Sequence, residues 1–217
     1  MSLATAPHFL VVLDADSTLI QDEVIELLAD AAGSRDLVAD VTERAMRGEL
    51  DFAQSLHQRV LTLAGLPDTV FAEVGQRIRL TAGVPELIAG IHAGGGVVGV
   101  VSGGFHELLD PLAATLGLDH WRANRLEVEA GRLTGRVLGP IIDAEAKAVA
   151  LCEWAASSRI ALAQTIAVGD GANDLRMMHA AGLAVAFNAK PRVQREADLV
   201  IDHCNLSQVL PLLGLRG

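Results

Sequence analysis

Phe9-Leu10-Val11-Val12-Leu13-Asp14-Ala15-Asp16-Ser17-Thr18 is the stretch on which the fold turns. Five apolar residues run into two acids spaced two apart, and two hydroxyls follow. A continuous apolar run of this length reads as a strand buried on both faces, the pattern of a parallel sheet. Acids at the end of such a strand lie at the carboxyl edge of the sheet, where open α/β folds place their ligands. Taken alone, the stretch fits a strand and a polar Asx turn equally well.

Beyond Asp22 the pattern becomes helical. Val24, Leu27, Leu28 and Ala31 keep an i, i+3, i+4, i+7 spacing, and Gly33 stops that helix. Ser34, Asp51 and Asp68 are the expected caps of three more helices, the last reaching about Ile78. Residues 22 to about 80 thus read as a small helical module without a strand signal. From Gly83 strands and helices alternate. A helix from about Pro85 to Ala93 leads into the buried strand Val97–Val101, which ends in Ser102-Gly103-Gly104. A helix from His106 to Leu116 and a β-hairpin, Arg125–Glu129 with Arg132–Val137, follow. Next come a helix from Ala144 to Ser157, the strand Thr165–Val168 ending in Gly169-Asp170-Gly171-Ala172-Asn173-Asp174, and a helix to about Ala181. The strands Ala184–Phe187 and Leu199–Ile201 and a C-terminal helix close the chain. Alternation of this kind predicts a parallel α/β sheet, with the helical module inserted just after the first strand.

Composition narrows the function. The 217 residues are 51% hydrophobic but only 3% aromatic, so the core is large and aliphatic. A net charge of -10 argues against a nucleic-acid binder, which needs a basic patch. Any anionic substrate must therefore be met by local cations or a metal. The two cysteines, Cys152 and Cys204, make neither a metal spacing nor a disulfide framework, which fits a reduced, cytoplasmic protein. Met1–Pro7 lacks the features of a signal peptide, and no apolar run approaches the length of a membrane span.

Three strand ends carry the chemistry: Asp14/Asp16, Ser102/Gly103/Gly104 and Asp170/Asn173/Asp174. A parallel sheet gathers them. Four carboxylates on one edge repel unless a cation joins them, and all-oxygen ligands favour a hard ion such as Mg²⁺ beside a substrate phosphate. The glycines after Ser102 let backbone N–H groups approach that phosphate. Lys147, early in its helix, either points into this edge or is a solvated lysine. An aspartate beside Mg²⁺ and phosphate can act as a covalent nucleophile. In the helical module, Arg59 falls within the apolar stripe of Phe52, Leu56 and Leu63. A buried guanidinium needs an anion, either an internal carboxylate or that of a ligand. Glu23 is either an acid favoured by a helix dipole or a group facing the site.

These residues carry a resemblance. Asp14-Ala15-Asp16-Ser17-Thr18 resembles the DxDx[TV] signature of the haloacid dehalogenase superfamily, and Val101-Ser102-Gly103, Lys147 and Gly169–Asp174 resemble its other motifs in order. The likeness covers residues 8 to 213 and is strongest to the phosphoserine phosphatase branch, through Ala45–Phe52, Ser55-Leu56, Arg59-Val60 and Ala123-Asn124-Arg125-Leu126. The resemblance implies a three-layer α/β sandwich, residues 1–21 and 80–217, with a helical-bundle cap at 22–79. It implies Mg²⁺-dependent hydrolysis of O-phosphoserine through an aspartyl-phosphate, the last step of serine biosynthesis. Asp14 would be nucleophile and metal ligand, Asp16 general acid/base and carbonyl ligand to the metal, and Asp170 the third ligand. Ser102, Gly103 and Lys147 would hold the phosphate, Asn173 and Asp174 would orient the site, and Thr18 would support the turn. Glu23 would read the substrate ammonium, Arg59 its carboxylate, and Met46 and Phe52 its apolar part. The core motifs fit equally a phosphatase for another small phosphomonoester or a phosphoserine:homoserine phosphotransferase. A receiver-like module phosphorylated on Asp is disfavoured by Asp16, Lys147 and the cap together. Relatives often have an aromatic residue where this chain has Ala15.

Overall fold

The computed structural model describes residues 8–47 and 49–214. Leu10–Leu13 forms β1, and all four side chains are fully buried. Leu10 and Val12 pack with Ala150, Leu151, Trp154, Met177 and Met178, whereas Val11 and Leu13 pack with Leu87, Ile91, Leu108 and Leu109. Each strand face thus meets its own helical layer, which is why the apolar run is continuous rather than alternating. Burying each of these side chains contributes roughly 1.5–3 kcal/mol before the entropy of ordering is subtracted.

The sheet has seven strands in the order β4-β3-β2-β1-β5-β6-β7. They are β2 (Val97–Phe105), β3 (His120–Glu129), β4 (Arg132–Leu138), β5 (Thr165–Gly169), β6 (Leu183–Phe187) and β7 (Leu199–Ile201). All neighbours are parallel except β3 and β4. One helical layer contains α5 (Val84–Ala93), α6 (His106–Leu116) and a 3₁₀ helix at Leu206–Leu213; the other contains α7 (Ala144–Ser157), α8 (Leu175–Ala180) and α9 (Pro191–Glu196). This is the expected three-layer α/β arrangement. In register, Leu13 lies beside Val100 of β2 and Val168 of β5, so the ends of these three strands meet.

Between β1 and α5 lie α1 (Val24–Ala32), α2 (Arg35–Met46), α3 (Phe52–Leu61) and α4 (Val70–Gly75). Gly33 ends α1 in the left-handed region (φ 67°), and Asp51 caps α3 in a reciprocal pair with Gln54. Two expected caps differ. The Ser34 hydroxyl donates instead to Thr62 Oγ1 (3.1 Å) and Ala29 O, and α4 starts only at Val70, after Thr69, with no side-chain cap; Asp68 supplies only its carbonyl, to Phe71 N–H (3.1 Å). One strand expectation also differs. β3 begins at His120, and its first half pairs in parallel with β2, so the hairpin is part of the main sheet. The helix α9 has too few apolar residues to be visible as a pattern.

Two sets of contacts fasten the inserted helices. At its root, Gln21 N–H donates to Arg79 O (2.9 Å), Thr81 N–H to Leu19 O (3.0 Å), and the Arg79 guanidinium to Asp22 (Nη2–Oδ1 2.6 Å). At its far end, Gly65 N–H donates to Leu133 O (2.8 Å), Leu133 N–H to Leu66 O (2.8 Å) and Asp68 N–H to Gly131 O (3.0 Å). Val24, Leu28, Leu56, Val60, Leu63 and Val74 share one apolar cluster with the sheet face.

Candidate active site

Asp14 follows β1 directly and starts a single π turn, Ala15–Leu19. Its N–H donates to Val168 O of β5 (2.9 Å), and its Oδ1 accepts from Ala15 N–H (2.6 Å). The turn needs Ser17 in the left-handed region (φ 58°), at a cost of about 1–2 kcal/mol. Ser17 Oγ donates to Glu23 Oε1 (2.7 Å). Glu23, ahead of α1, makes no capping bond to that helix; it lines the cavity, held there by Ser17. Thr18 is fully buried, and its hydroxyl has no hydrogen-bond partner among the described residues. Ala15 is buried in the apolar cluster that also holds Phe105 and Leu109.

After β2's first half, Ser102 Oγ accepts from Gly104 N–H (2.8 Å). Close approach favours both glycines, Gly104 most. A Cβ on Gly103 would lie 3.1 Å from the Phe52 ring, and one on Gly104 would lie 2.7 Å from Val24 Cγ2. After β5, Asp174 is fully buried, with Oδ2 accepting from Gly171 N–H (3.0 Å). A Cβ on Gly169 would overlap its carboxylate at 2.5 Å. Lys147 lies near the start of α7, which is capped by Asp143 Oδ1 on Ala146 N–H (2.9 Å). It is fully buried, and its ammonium lies 2.7 Å from both Asp14 Oδ1 and Asp174 Oδ1. The solvated-lysine alternative is therefore wrong.

One cavity of about 140 Å³ opens here. Its walls include Asp14, Asp16, Gly103, Asp170 and Asn173 from the sheet edge, and Glu23, Phe52 and Arg59 from the inserted helices. Ser102 lies just behind the glycine loop. Met46 ends α2, and its side chain lies outside the described residues. Arg59 is half-buried and donates from Nε only to Ser55 O (3.3 Å). Among the described residues no carboxylate lies within ion-pair distance of it, which disposes of the internal-partner alternative. Burial holds its guanidinium below the usual arginine range, against the attraction of Glu23 and Asp16.

The electrostatics are those of a site short of positive charge. Burial, and then Asp174, push the Asp14 carboxyl well up, against the pull of Lys147. Burial, then Glu23 and Asp14, push Asp16 well up. Burial and Asp174 push Asp170 up to about 6. Lys147 is held above the usual lysine range, because its two carboxylates outweigh the cost of burial. Carboxylate oxygens of Asp14, Asp170 and Asp174 lie within 4.8 Å of one another. Such an all-oxygen donor set fits a hard divalent cation, with Asp174 beside it and its own two oxygens already taken by Lys147 and Gly171 N–H. The site also gains Lys190, which lines the cavity and whose N–H donates to Asp170 O (3.2 Å). It follows β6, the next strand end along, and carried no motif.

The histidines are structural where they are ordered by contacts. His106 Nδ1 pairs with Asp110 Oδ1 (2.7 Å), and Nε2 accepts from Ala123 N–H (3.1 Å). His57 is exposed and does not line the cavity.

Comparison with known proteins agrees with this geometry. Residues 11–179 match the haloacid dehalogenase-like hydrolase family. The chain is 51% identical to a phosphoserine phosphatase of Streptococcus thermophilus over 96% of this chain and 97% of that protein. It is 52% identical to the phosphoserine phosphatase SerB2 of Mycobacterium tuberculosis over 99% of this chain, but spans only 53% of that longer protein. Among solved structures, a phospho-aspartyl intermediate analogue of phosphoserine phosphatase superposes with a TM-score of 0.89 at 41% identity, covering 95% of this chain and 99% of that one. A substrate-bound phosphoserine phosphatase complex gives the same TM-score and identity over 94% and 98%. Among the described residues no helix is long and apolar enough to cross a membrane.

Proposed function

The chain belongs to the haloacid dehalogenase-like hydrolases, and from that premise we propose that it hydrolyses O-phosphoserine to serine and phosphate with Mg²⁺, the last step of serine biosynthesis in the cytoplasm. One observation carries the proposal: a single cavity is walled by the Asp14 edge, by Arg59 and by Glu23. These are three readers for the phosphate, carboxylate and ammonium of one small molecule. Names of close relatives support the same substrate.

The mechanism follows from what each group is free to do. Oδ1 of Asp14 is occupied by Lys147 and Ala15 N–H, so Oδ2 is the atom left for in-line attack. The bond from Oδ2 to phosphorus forms as the bond from phosphorus to the serine oxygen breaks. Asp16 donates the proton to that oxygen. Its raised affinity for a proton suits it to arrive protonated. In the second half Asp16 takes a proton from water, whose oxygen displaces Asp14 from phosphorus. Ser102, the Gly103 N–H and Lys147 stabilise the equatorial oxygens. Asn173, Asp174 and Thr18 support that arrangement. Mg²⁺ held by Asp14, Asp170 and the Asp16 carbonyl would supply further positive charge to the phosphate. Glu23, Arg59, Phe52 and Met46 select the amino-acid part. Residues 22–79 act as the cap that keeps bulk water out.

The test is phosphate release, with Mg²⁺, from O-phosphoserine, phosphoethanolamine and a simple alkyl phosphate. O-Phosphoserine should have the highest kcat/KM, and Asp14→Asn should release none. Equal kcat/KM across the panel, or turnover by Asp14→Asn, would overturn the assignment.

A further inference from the structure

Asn124 lies on β3, outside the cavity wall, and is 1% exposed. Its amide bridges two elements that are distant in sequence. Nδ2 donates to Gly103 O (2.8 Å), and Oδ1 accepts from Ile142 N–H (2.9 Å). Those partners, one a pure acceptor and one a pure donor, also fix which end of the amide is which.

Each bond continues into the site. The Gly103 carbonyl shares its peptide unit with Gly104 N–H, which donates to Ser102 Oγ at 2.8 Å. The plane that Asn124 grips is therefore the plane that orients the Ser102 oxygen. Because that oxygen accepts here, its own proton remains available to a phosphate. On the other side, Ile142 immediately precedes Asp143, the cap of α7, and Lys147 follows one turn later, its N–H donating to Asp143 O (3.0 Å). Buried hydrogen bonds arranged in series strengthen one another and leave little freedom at either end.

We infer that Asn124 is a positioning residue for phosphoryl transfer: one buried amide sets the Ser102 hydroxyl and the Lys147 helix at a fixed distance, so that both meet the same phosphate. The inference rests on the reading of Ser102 and Lys147 as phosphate holders. Neither Lys147 nor Ser102 hydrogen-bonds Asn124, so its effect must pass through the Gly103 peptide and the α7 cap.

The experiment is a double-mutant cycle on the whole protein, with O-phosphoserine and Mg²⁺. Asn124→Ala and the similar-sized Asn124→Leu should lower kcat about 10–100-fold, with KM changed less than about threefold. In a Ser102→Ala background the same substitutions should cost several-fold less than in the wild type, because one of the two groups they position is gone. A kcat within threefold of wild type, a change in KM alone, or an undiminished loss in the Ser102→Ala background would each overturn the inference. If Asn124→Ala and Asn124→Leu do not fold, Asn124→Ser is put through the same cycle. A folded Asn124→Ser with wild-type kcat, or failure of all three to fold, assigns Asn124 to stability alone and overturns it. Wild-type inactivity on the phosphomonoester panel would instead strike the underlying phosphatase reading.

Discussion

Nζ of Lys147 lies 2.7 Å from Oδ1 of Asp14, with the two side chains 0% and 5% exposed. The same ammonium serves Asp174, so one buried cation balances two buried carboxylates. Removing it leaves both uncompensated, which in buried pairs costs about 3–5 kcal/mol. Lys147→Ala should lower stability by about that much in urea and reduce kcat at least about 100-fold. An unchanged urea midpoint would show that the pair contributes nothing to the fold.

Metal binding should depend on pH. Asp170 is pushed up to about 6 by burial and Asp174, so below that pH a proton competes with the cation for its carboxylate. The Mg²⁺ dissociation constant should therefore rise as pH falls from 7 to 5, by up to about tenfold per unit. Mg²⁺ should raise the melting temperature at pH 7.5, raise it less at pH 5, and have little effect on Asp170→Asn. Calorimetry and thermal melts check all three, and equal Mg²⁺ affinity at both pH values would contradict the assignment.

Among the described residues Arg59 has no carboxylate within ion-pair distance, so its loss should be felt by the substrate. Hydrogen bonds to a charged group contribute about 1.5–3 kcal/mol, or about 10–100-fold. Arg59→Ala should lower kcat/KM for O-phosphoserine by that factor. For phosphoethanolamine, which lacks the carboxylate, the change should stay within about threefold. An equal loss on both substrates would make Arg59 a packing residue.

At the root of the inserted helices, Arg79 holds Asp22 below the usual carboxylate range, chiefly by hydrogen bonding. A carboxyl lowered on folding stabilises the fold above its unfolded value of about 3.9. That contribution disappears as pH falls through the lower folded value. Asp22→Asn should thus shift the urea midpoint by a few tenths of a molar at pH 7, since Arg79 is exposed and the pair is screened. The difference from wild type should vanish near pH 2. A difference that persists there would place the effect outside the ion pair.

How far the sequence could be read varied from element to element, for physical reasons. Leu10–Leu13 was legible because a strand buried on both faces leaves no polar interruption. The first half of β3 was not, because His120 and Arg122 interrupt any apolar run or alternation and the segment is ordered by pairing with β2. Lys147 could be narrowed only to two alternatives. Its helix is apolar nearly all round, so periodicity does not say which way a lysine points, and burial there depends on two aspartates from other strands. Asp51 was legible as a cap because its partner Gln54 is three residues away. Ser34 was misread because its hydroxyl prefers Thr62, a partner supplied by tertiary packing. Lys190 reaches the cavity from the end of β6, a strand whose loop bears no acid to draw notice.

The hydrogen bonds that tie the Gly65 and Asp68 N–H groups and the Leu66 carbonyl to the β3–β4 hairpin make the C-terminal end of α3 a fulcrum. Arg59 is three residues from Thr62, about 4.5 Å along the axis, whereas Phe52 is ten residues away, about 15 Å. Any tilt of this lever that widens the cavity sweeps Phe52 roughly three times as far as Arg59. On the proposed reading, the guanidinium that holds the substrate carboxylate would stay nearly in place while the aromatic ring travels.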